Sequence, residues 1–267
     1  LLGGGFASGP TTGVRIFGAV EEEYLGATFG PAGDHNNDGH PDIILTNNFG
    51  QVYTMALPDF TAPPQPLYYD VDIDILEEGP TFHKVYGSPG MDACSIGDFN
   101  GDGIDDLFIA AMLYNITTEN DLVGGAYVLF GNTTTPGAPL DMLSLSLGDS
   151  SSAGFRIIAS SLAYVGPVTV GGDYNNDGFA DVLVVDPSFG GTGAVFVIYG
   201  HNASQIAFED LYLSTFVTGP RGFRILGATG DQLGGNGNPY KTSRSVSSAG
   251  DFNSDGFDDI MACAPLA

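Results

Sequence analysis

Basic residues are scarce in this 267-residue chain. Seven Lys and Arg stand against 32 Asp and Glu, which gives a formal net charge of −25 and a pI near 4.1. Phosphate backbones and anionic membrane surfaces repel a chain of this charge over most of its area. The composition therefore excludes nucleic acid as a main partner.

Long apolar runs and cysteines are also few. The apolar run Leu107–Leu113 covers seven residues, whereas a membrane-crossing helix needs about 20, so we expect no membrane insertion. Cys94 and Cys263 are too few to staple a domain of this size, and either two small buried residues or one optional bridge would suit them. The chain starts Leu1-Leu2-Gly3, with no initiating Met and no signal-peptide pattern, so we expect the natural termini to lie elsewhere.

Glycine, in contrast, is abundant. Forty glycines are about twice the ordinary share, and a hydrophobic content of 43% is enough for a real core. Many glycines and few long-chain helix formers favour short strands joined by tight turns. The sequence therefore predicts an all-β protein.

One nonapeptide recurs four times and organises the chain. Its pattern is Asp-x-Asn-x-Asp-Gly-x-x-Asp, and its copies, called loops 1 to 4 below, are Asp34–Asp42, Asp98–Asp106, Asp173–Asp181 and Asp251–Asp259. The first aspartates lie 64, 75 and 78 residues apart, which leaves room for about four strands in each repeat. A glycine precedes every copy and an apolar run follows it, so each loop leads into a buried strand.

Further strand signatures flank the loops in a constant order. Glycine-bounded apolar segments follow them at 50–56, 125–131 and 193–200, and others precede them at 13–18, 82–87, 154–158 and 222–227. The same order of parts divides the chain into units of approximately 13–79, 80–152, 153–218 and an incomplete 219–267.

These parts resemble the FG-GAP repeats of integrin α-subunit β-propellers. The name-giving dipeptide is present as Phe17-Gly18 and in degenerate form at 185–187 and 263–265. The resemblance covers nearly the whole chain and implies one propeller or propeller segment over residues 1–267. The units given above are then its four-stranded blades, about three and a half of them, each with a calcium-binding hairpin loop between two strands.

The residue types in each loop suit calcium. A hard divalent cation takes six to eight oxygens, which the side chains at positions 1, 3, 5 and 9 and the backbone carbonyl at position 7 supply. We predict about four structural Ca²⁺ ions. Their ligands are Asp34, Asn36, Asp38, His40, Asp42, Asp98, Asn100, Asp102, Ile104, Asp106, Asp173, Asn175, Asp177, Phe179, Asp181, Asp251, Asn253, Asp255, Phe257 and Asp259.

The main competing interpretation of these loops is the EF-hand. Its loop ends in a bidentate Glu at position 12, but here that position is apolar in all four copies: Leu45, Ile109, Val184 and Ala262. Without that Glu we expect an affinity of about 10⁻⁵ to 10⁻³ M, the range of extracellular modules. Without metal, crowded carboxylates should repel one another and loosen the loops.

The fourth unit ends soon after its post-loop strand. Either the chain is a segment of a larger propeller, or another chain supplies the missing edge, since an open edge invites strand addition. Asn115, Asn132 and Asn202 open glycosylation sequons beyond predicted strands. No nucleophile elbow or histidine cluster occurs, so we expect no catalytic residues and no enzyme.

The function expected from the sequence is non-catalytic. We predict a secreted or cell-surface calcium-binding propeller that serves adhesion, scaffolding or extracellular assembly, with protein or glycan ligands. Two alternatives stay open: a carbohydrate-binding, lectin-like propeller, and an accessory propeller of a secreted hydrolase or lyase.

Overall fold

The computed structural model describes residues 14–18, 22–56, 69–72, 82–86, 92–111, 124–131, 140–141, 153–159, 171–202, 204, 206–235 and 246–264. Across these residues the regular elements are strands and one 3₁₀ turn at Phe189–Gly191. The strands are β1 (Val14–Phe17), β2 (Phe29–Gly33), β3 (Asp42–Thr46), β4 (Gln51–Ala56), β5 (Tyr69–Asp72), β6 (Phe82–Tyr86), β7 (Asp92–Gly97), β8 (Asp106–Ala111), β9 (Gly125–Leu129), β10 (Leu140–Asp141), β11 (Gly154–Ile158), β12 (Val182–Asp186), β13 (Ala194–Ile198), β14 (Leu211–Tyr212), β15 (Gly222–Leu226), β16 (Val246–Gly250) and β17 (Asp259–Ala262). The predicted all-β fold is confirmed.

Most strands form antiparallel sheets in chain order. Sheet 1 has the order β2-β3-β4-β6 and sheet 2 the order β7-β8-β9-β11. Sheet 3 contains β12-β13-β15, and a bridge between Gly172 and Asp181 precedes it. Strands β16 and β17 form a hairpin. Short connections explain this order, because neighbouring antiparallel strands need only a tight turn between them.

Short parallel strands join one sheet to the next. The connection that leads to the last strand of a sheet reaches back and pairs with the last strand of the preceding sheet: β10 lies on β6, and β14 lies on β11. Strand β5 lies on β1 in the same way. A sheet therefore takes strands from two adjacent sequence units, since β11 pairs with β9 of the preceding unit.

The core lies between the faces of neighbouring sheets. One face of sheet 2, with Phe108 and Val128, packs on sheet 3, and its other face, with Leu107 and Tyr127, packs on sheet 1. Successive side chains of a strand point to opposite faces. Burial on both faces explains why the segments after the loops are continuously apolar rather than alternating.

Successive antiparallel sheets packed face to face give the chain the fold of a β-propeller. The number of blades, about three and a half in the sequence analysis, stays a prediction. No helix in the described part of the chain has the length and apolar character needed to cross a membrane.

Candidate metal centres

Each aspartate-rich loop lies between two segments that pair with each other. Loops 1, 2 and 4 join β2 to β3, β7 to β8 and β16 to β17, and loop 3 joins the bridge residue Gly172 to β12. The glycine before the loop pairs with the aspartate at position 9, as in Gly33 with Asp42 and Gly97 with Asp106. The same pairing recurs in loops 3 and 4, between Gly172 and Asp181 and between Gly250 and Asp259. The strand pairing thus closes all four loops at equivalent residues.

The backbone turns in the same way in every loop. Position 6 is glycine with φ between 85° and 92°, a conformation that a side chain disfavours. Position 4 also has positive φ, between 54° and 75°, in Asn37, Gly101, Asn176 and Ser254. The recurring glycine of the motif therefore follows from the path of the chain.

Side-chain oxygens at positions 1, 3 and 5 accept backbone N–H bonds within their own loop. In loop 3, the N–H of Asp177 donates to Asp173 Oδ1 and to Asn175 Oδ1, both at 3.0 Å, and Gly178 donates to Asp173 Oδ2 at 2.9 Å. The N–H at position 7 donates to the position-5 carboxylate. The other loops repeat all four bonds at 2.8–3.1 Å.

The carboxylate at position 9 closes the loop from the sheet side. Asp181 accepts the N–H of Tyr174 at 2.7 Å and that of Gly200, which follows β13, at 2.9 Å. Asp106 is held likewise by Phe99 and by Gly131, which follows β9. Both aspartates have no exposed surface.

Burial makes these carboxylates weak acids. Desolvation raises the pKa of Asp42 to about 6, that of Asp181 to about 7 and that of Asp106 to about 8. The position-5 carboxylate of the same loop adds to each rise by repulsion, while backbone N–H donors oppose it. These aspartates therefore bear their charge at an energetic cost that a nearby cation would relieve.

The predicted side-chain ligands are brought together in each loop, but their carboxylates do not converge on one point. Among the described residues, no group of three acidic, histidine or cysteine side chains is placed to hold a metal ion by itself. The backbone N–H bonds turn the oxygens toward the chain, and an asparagine NH₂ takes part in the contacts: Asn36 Nδ2 donates to Asp38 Oδ2 at 3.2 Å. Carboxylate, amide and carbonyl oxygens are nevertheless the donors that calcium takes, so the residues present fit this ion.

Loop 4 keeps the network but lies open to solvent. Asp259 accepts the N–H of Phe252 and of Asn253, and both bonds are exposed. Phe252 itself is 86% exposed. The loop geometry therefore does not depend on burial.

Position 8, which the repeated pattern leaves variable, makes contacts between loops that sequence reasoning missed. Position-8 carboxylates of loops 2 and 4, Asp105 and Asp258, reach the neighbouring loop. The only signal was the consecutive aspartates at positions 8 and 9. The partly buried ion pair between Arg156 Nη2 and Asp210 Oδ2, at 2.6 Å, joins β11 to the segment before β14.

The remaining predicted sites divide between described and undescribed residues. Asn115 and Asn132 lie outside the described residues. Asn202 is partly exposed just beyond β13, and its Oδ1 accepts the N–H of Ser204 at 2.8 Å. Cys94 is partly buried and Cys263 exposed, and they form no disulfide with each other in the described structure.

Comparison with known proteins agrees with this architecture. The model of the FG-GAP repeat family matches residues 93–129, which run from β7 through loop 2 to β9. Integrin alpha-3 of Cricetulus griseus is 34% identical over 129 residues, covering 48% of this chain and 11% of that protein. Integrin alpha-3 of Mus musculus is 36% identical over 114 residues, covering 43% and 10%. Integrin alpha-PS5 of Drosophila melanogaster is 30% identical over 172 residues, covering 64% and 14%.

The chain thus contains a segment that matches the FG-GAP repeat and is similar to integrin alpha proteins, so the resemblance inferred from the loops is confirmed. Its matches span about a tenth of the length of these curated relatives.

Proposed function

We propose that this chain is a non-catalytic, calcium-binding FG-GAP propeller that serves adhesion, scaffolding or assembly at the cell surface or outside the cell. The similarity to integrin alpha proteins supports an adhesion-type role. The observation that carries the calcium part is the hydrogen-bond network that recurs in all four loops. Its ligands are the side chains at positions 1, 3, 5 and 9 and the carbonyl at position 7, named residue by residue above.

Calcium would act as a structural ion in this proposal. Positions 1, 5 and 9 of each loop are carboxylates, and in loops 2 and 3 the loss of solvation around the position-9 carboxylate favours the uncharged acid. A divalent cation stabilises the ionised carboxylates and so ties together the two paired segments on either side of each loop. Binding to the folded chain alone stabilises it by mass action.

The proposed extracellular setting follows from the calcium affinity expected of the loops and from the acidic composition of the chain. Loops without a Glu at position 12 suit the millimolar calcium of extracellular fluid. The acidic surface and the match to integrin alpha proteins favour protein or glycan ligands at a cell surface or matrix. The hairpin β16-β17 is only partly buried, which supports self-assembly or completion of the fourth blade through this edge.

Glycosylation belongs to the same proposal for a eukaryotic secretory source. Asn202 lies in a partly exposed turn, where a glycan would meet solvent. The proposed acceptors are Asn115, Asn132 and Asn202. A mobility shift after glycosidase treatment of the native protein, lost stepwise in Asn→Gln variants, tests this assignment.

Equilibrium dialysis with radioactive calcium tests the central claim. We expect about four ions per chain, about three in Asp177→Ala, which removes a position-5 ligand, and the wild-type number in Glu209→Ala. Glu209 is a matched control because its exposed carboxylate lies outside the loops. Thermal melting should show a higher melting temperature with calcium than with EDTA. No bound calcium, or equal loss in the two variants, would refute the proposal.

A further inference from the structure

Two carboxylates cross from one aspartate-rich loop to the next. Asp105, at position 8 of loop 2, accepts the N–H of Asp34 through Oδ2 at 2.8 Å. Asp258, at position 8 of loop 4, accepts the N–H of Asp173 at 2.9 Å. In both cases the donor is position 1 of the preceding loop, whose own carboxylate is a proposed calcium ligand.

The glycine before each receiving loop makes room for this carboxylate. A Cβ built on Gly33 would lie 2.2 Å from Asp105 Oδ2, and one built on Gly172 would lie 2.9 Å from Asp258 Oδ2. Real side chains do not tolerate such contacts without displacement of a neighbour. The close approach between loops therefore explains the glycine that precedes loops 1 and 3.

The junction between loops 2 and 3 has the same backbone approach without the carboxylate. Position 8 of loop 3 is Ala180, whose N–H donates to the carbonyl of Asp98 at 3.0 Å. The N–H of Asp258 makes the same bond to Asp173, at 3.2 Å. Ala180 Cβ also faces Gly97, at 3.1 Å from the Cβ position built there. The chain thus contains its own natural variant of the link.

We propose that Asp105 and Asp258 are positioning residues that couple calcium binding in loops 1 and 2 and in loops 3 and 4, respectively. This inference rests on the calcium binding proposed above. Loops 2 and 3 are coupled less, because Ala180 offers no carboxylate. The four loops then fill as two pairs rather than as four equal sites.

The coupling follows from the place of each carboxylate in its own loop. Asp105 stands between Ile104 and Asp106, the proposed ligands at positions 7 and 9 of loop 2. A cation in loop 2 orders these neighbours and hence Asp105, which then holds the backbone of Asp34 in loop 1. Part of the ordering cost of loop 1 is therefore already met, and this linkage is reciprocal.

Nuclear magnetic resonance can follow each loop separately. The position-6 glycine N–H donates to the position-1 aspartate in every loop, at 2.9–3.0 Å, so its chemical shift should report calcium in that loop: Gly39, Gly103, Gly178 and Gly256. In wild type we expect the Gly39 and Gly103 midpoints to coincide, and likewise those of Gly178 and Gly256.

Removing the position-8 carboxylate and adding one should have opposite effects on the coupling between neighbouring loops. Asp105→Ala should raise the calcium midpoint at Gly39 about 5-fold, the lower end of usual couplings, and leave Gly178 and Gly256 unchanged. Asp105→Asn keeps an acceptor oxygen and should leave the calcium midpoint at Gly39 close to that of wild type. Ala180→Asp should bring the Gly103 and Gly178 midpoints together, because Gly97 leaves space for the new side chain.

The outcomes separate this inference from the function on which it rests. If no glycine amide shifts in wild type up to about 10 mM calcium, above the weakest range for such modules, calcium binding itself fails and the coupling with it. If the amides shift but Asp105→Ala leaves the Gly39 midpoint within about 2-fold of wild type, well below usual couplings, the loops bind calcium independently and only the coupling is overturned.

Discussion

Loops 3 and 4 share one nine-residue pattern and one set of backbone bonds, yet they lie in different surroundings. In loop 3, Asp181 has no exposed surface and accepts a bond from Gly200 after β13. In loop 4, Asp259 is only partly buried and its bonds to Phe252 and Asn253 lie in solvent. The motif therefore defines the path of the chain, while the neighbouring strands determine how deeply its last carboxylate is buried.

This difference has an energetic meaning. Burial removes water from a carboxylate and from the N–H groups that it accepts, so each bond becomes costly to lose. The same nine residues should thus tolerate substitution in loop 4 and resist it in loop 3.

The largest difference in the free energy of unfolding is expected between substitutions in the two sheets that carry loops 3 and 4. Phe196 in β13 is fully buried between the rings of Phe189 and Phe216, at 5.2 and 5.7 Å. Phe196→Ala should lower the free energy of unfolding by about 3–5 kcal/mol. Met261→Ala in β17, where the side chain is 58% exposed, should cost about 0.5 kcal/mol or less. Urea unfolding in calcium measures both, and equal losses would contradict the contrast.

A smaller contrast is expected at position 9. Asp181→Ala leaves the buried N–H groups of Tyr174 and Gly200 without their acceptor, which should cost about 2–4 kcal/mol. Asp259→Ala, the matched variant, should cost about 1 kcal/mol or less because water replaces its exposed bonds. Urea unfolding at pH 6 in EDTA makes the comparison without metal. A loss in Asp259→Ala as large as that in Asp181→Ala would show that burial is irrelevant to these bonds.

The melting temperature should depend on pH by a few degrees, because the buried position-9 carboxylates titrate in the folded chain. The pKa values of Asp42, Asp181 and Asp106 are raised by burial to about 6, 7 and 8, so folding favours their protonated forms. The stability that these protonated groups give to the folded state is complete below the unfolded pKa of about 3.9. It is lost as the pH rises through the folded pKa values of about 6 to 8. In EDTA the melting temperature should therefore fall by about 5 °C between pH 5.5 and 8.5.

Calcium should oppose this trend, because a bound cation needs ionised carboxylates. Melting curves recorded in calcium across the same pH range should show a growing gap from those in EDTA. Asp181→Asn, which is neutral at every pH, serves as the control and should flatten the slope in EDTA. A melting temperature in EDTA that rises with pH would contradict the assignment of these raised pKa values.

Much of the local structure could be predicted from the sequence. The glycine at position 6, the glycine before each loop and the apolar run after it define the turn and the strand that follows. These features depend on residues within about ten positions of each other, where backbone conformation and side-chain periodicity dominate. The all-β fold and the FG-GAP resemblance followed from them.

Contacts between repeats were harder to predict. The reach of Asp105 to Asp34 spans 71 residues, and the pairing of β14 with β11 depends on a connection with little pattern of its own. Arg156 likewise pairs with Asp210, which lies 54 residues further along the chain. The identity of that acid depended on the fold of the connection.

The short parallel strands have a consequence for how the chain is made. Because β14 covers the rim of β11, the second sheet stays unfinished until the ribosome has passed residue 212. Strand β6 likewise waits for residues 140–141. Each newly synthesised repeat therefore supplies the strand that pairs with the edge of the preceding sheet. During synthesis, the unpaired sheet edge is always the one nearest the growing end of the chain.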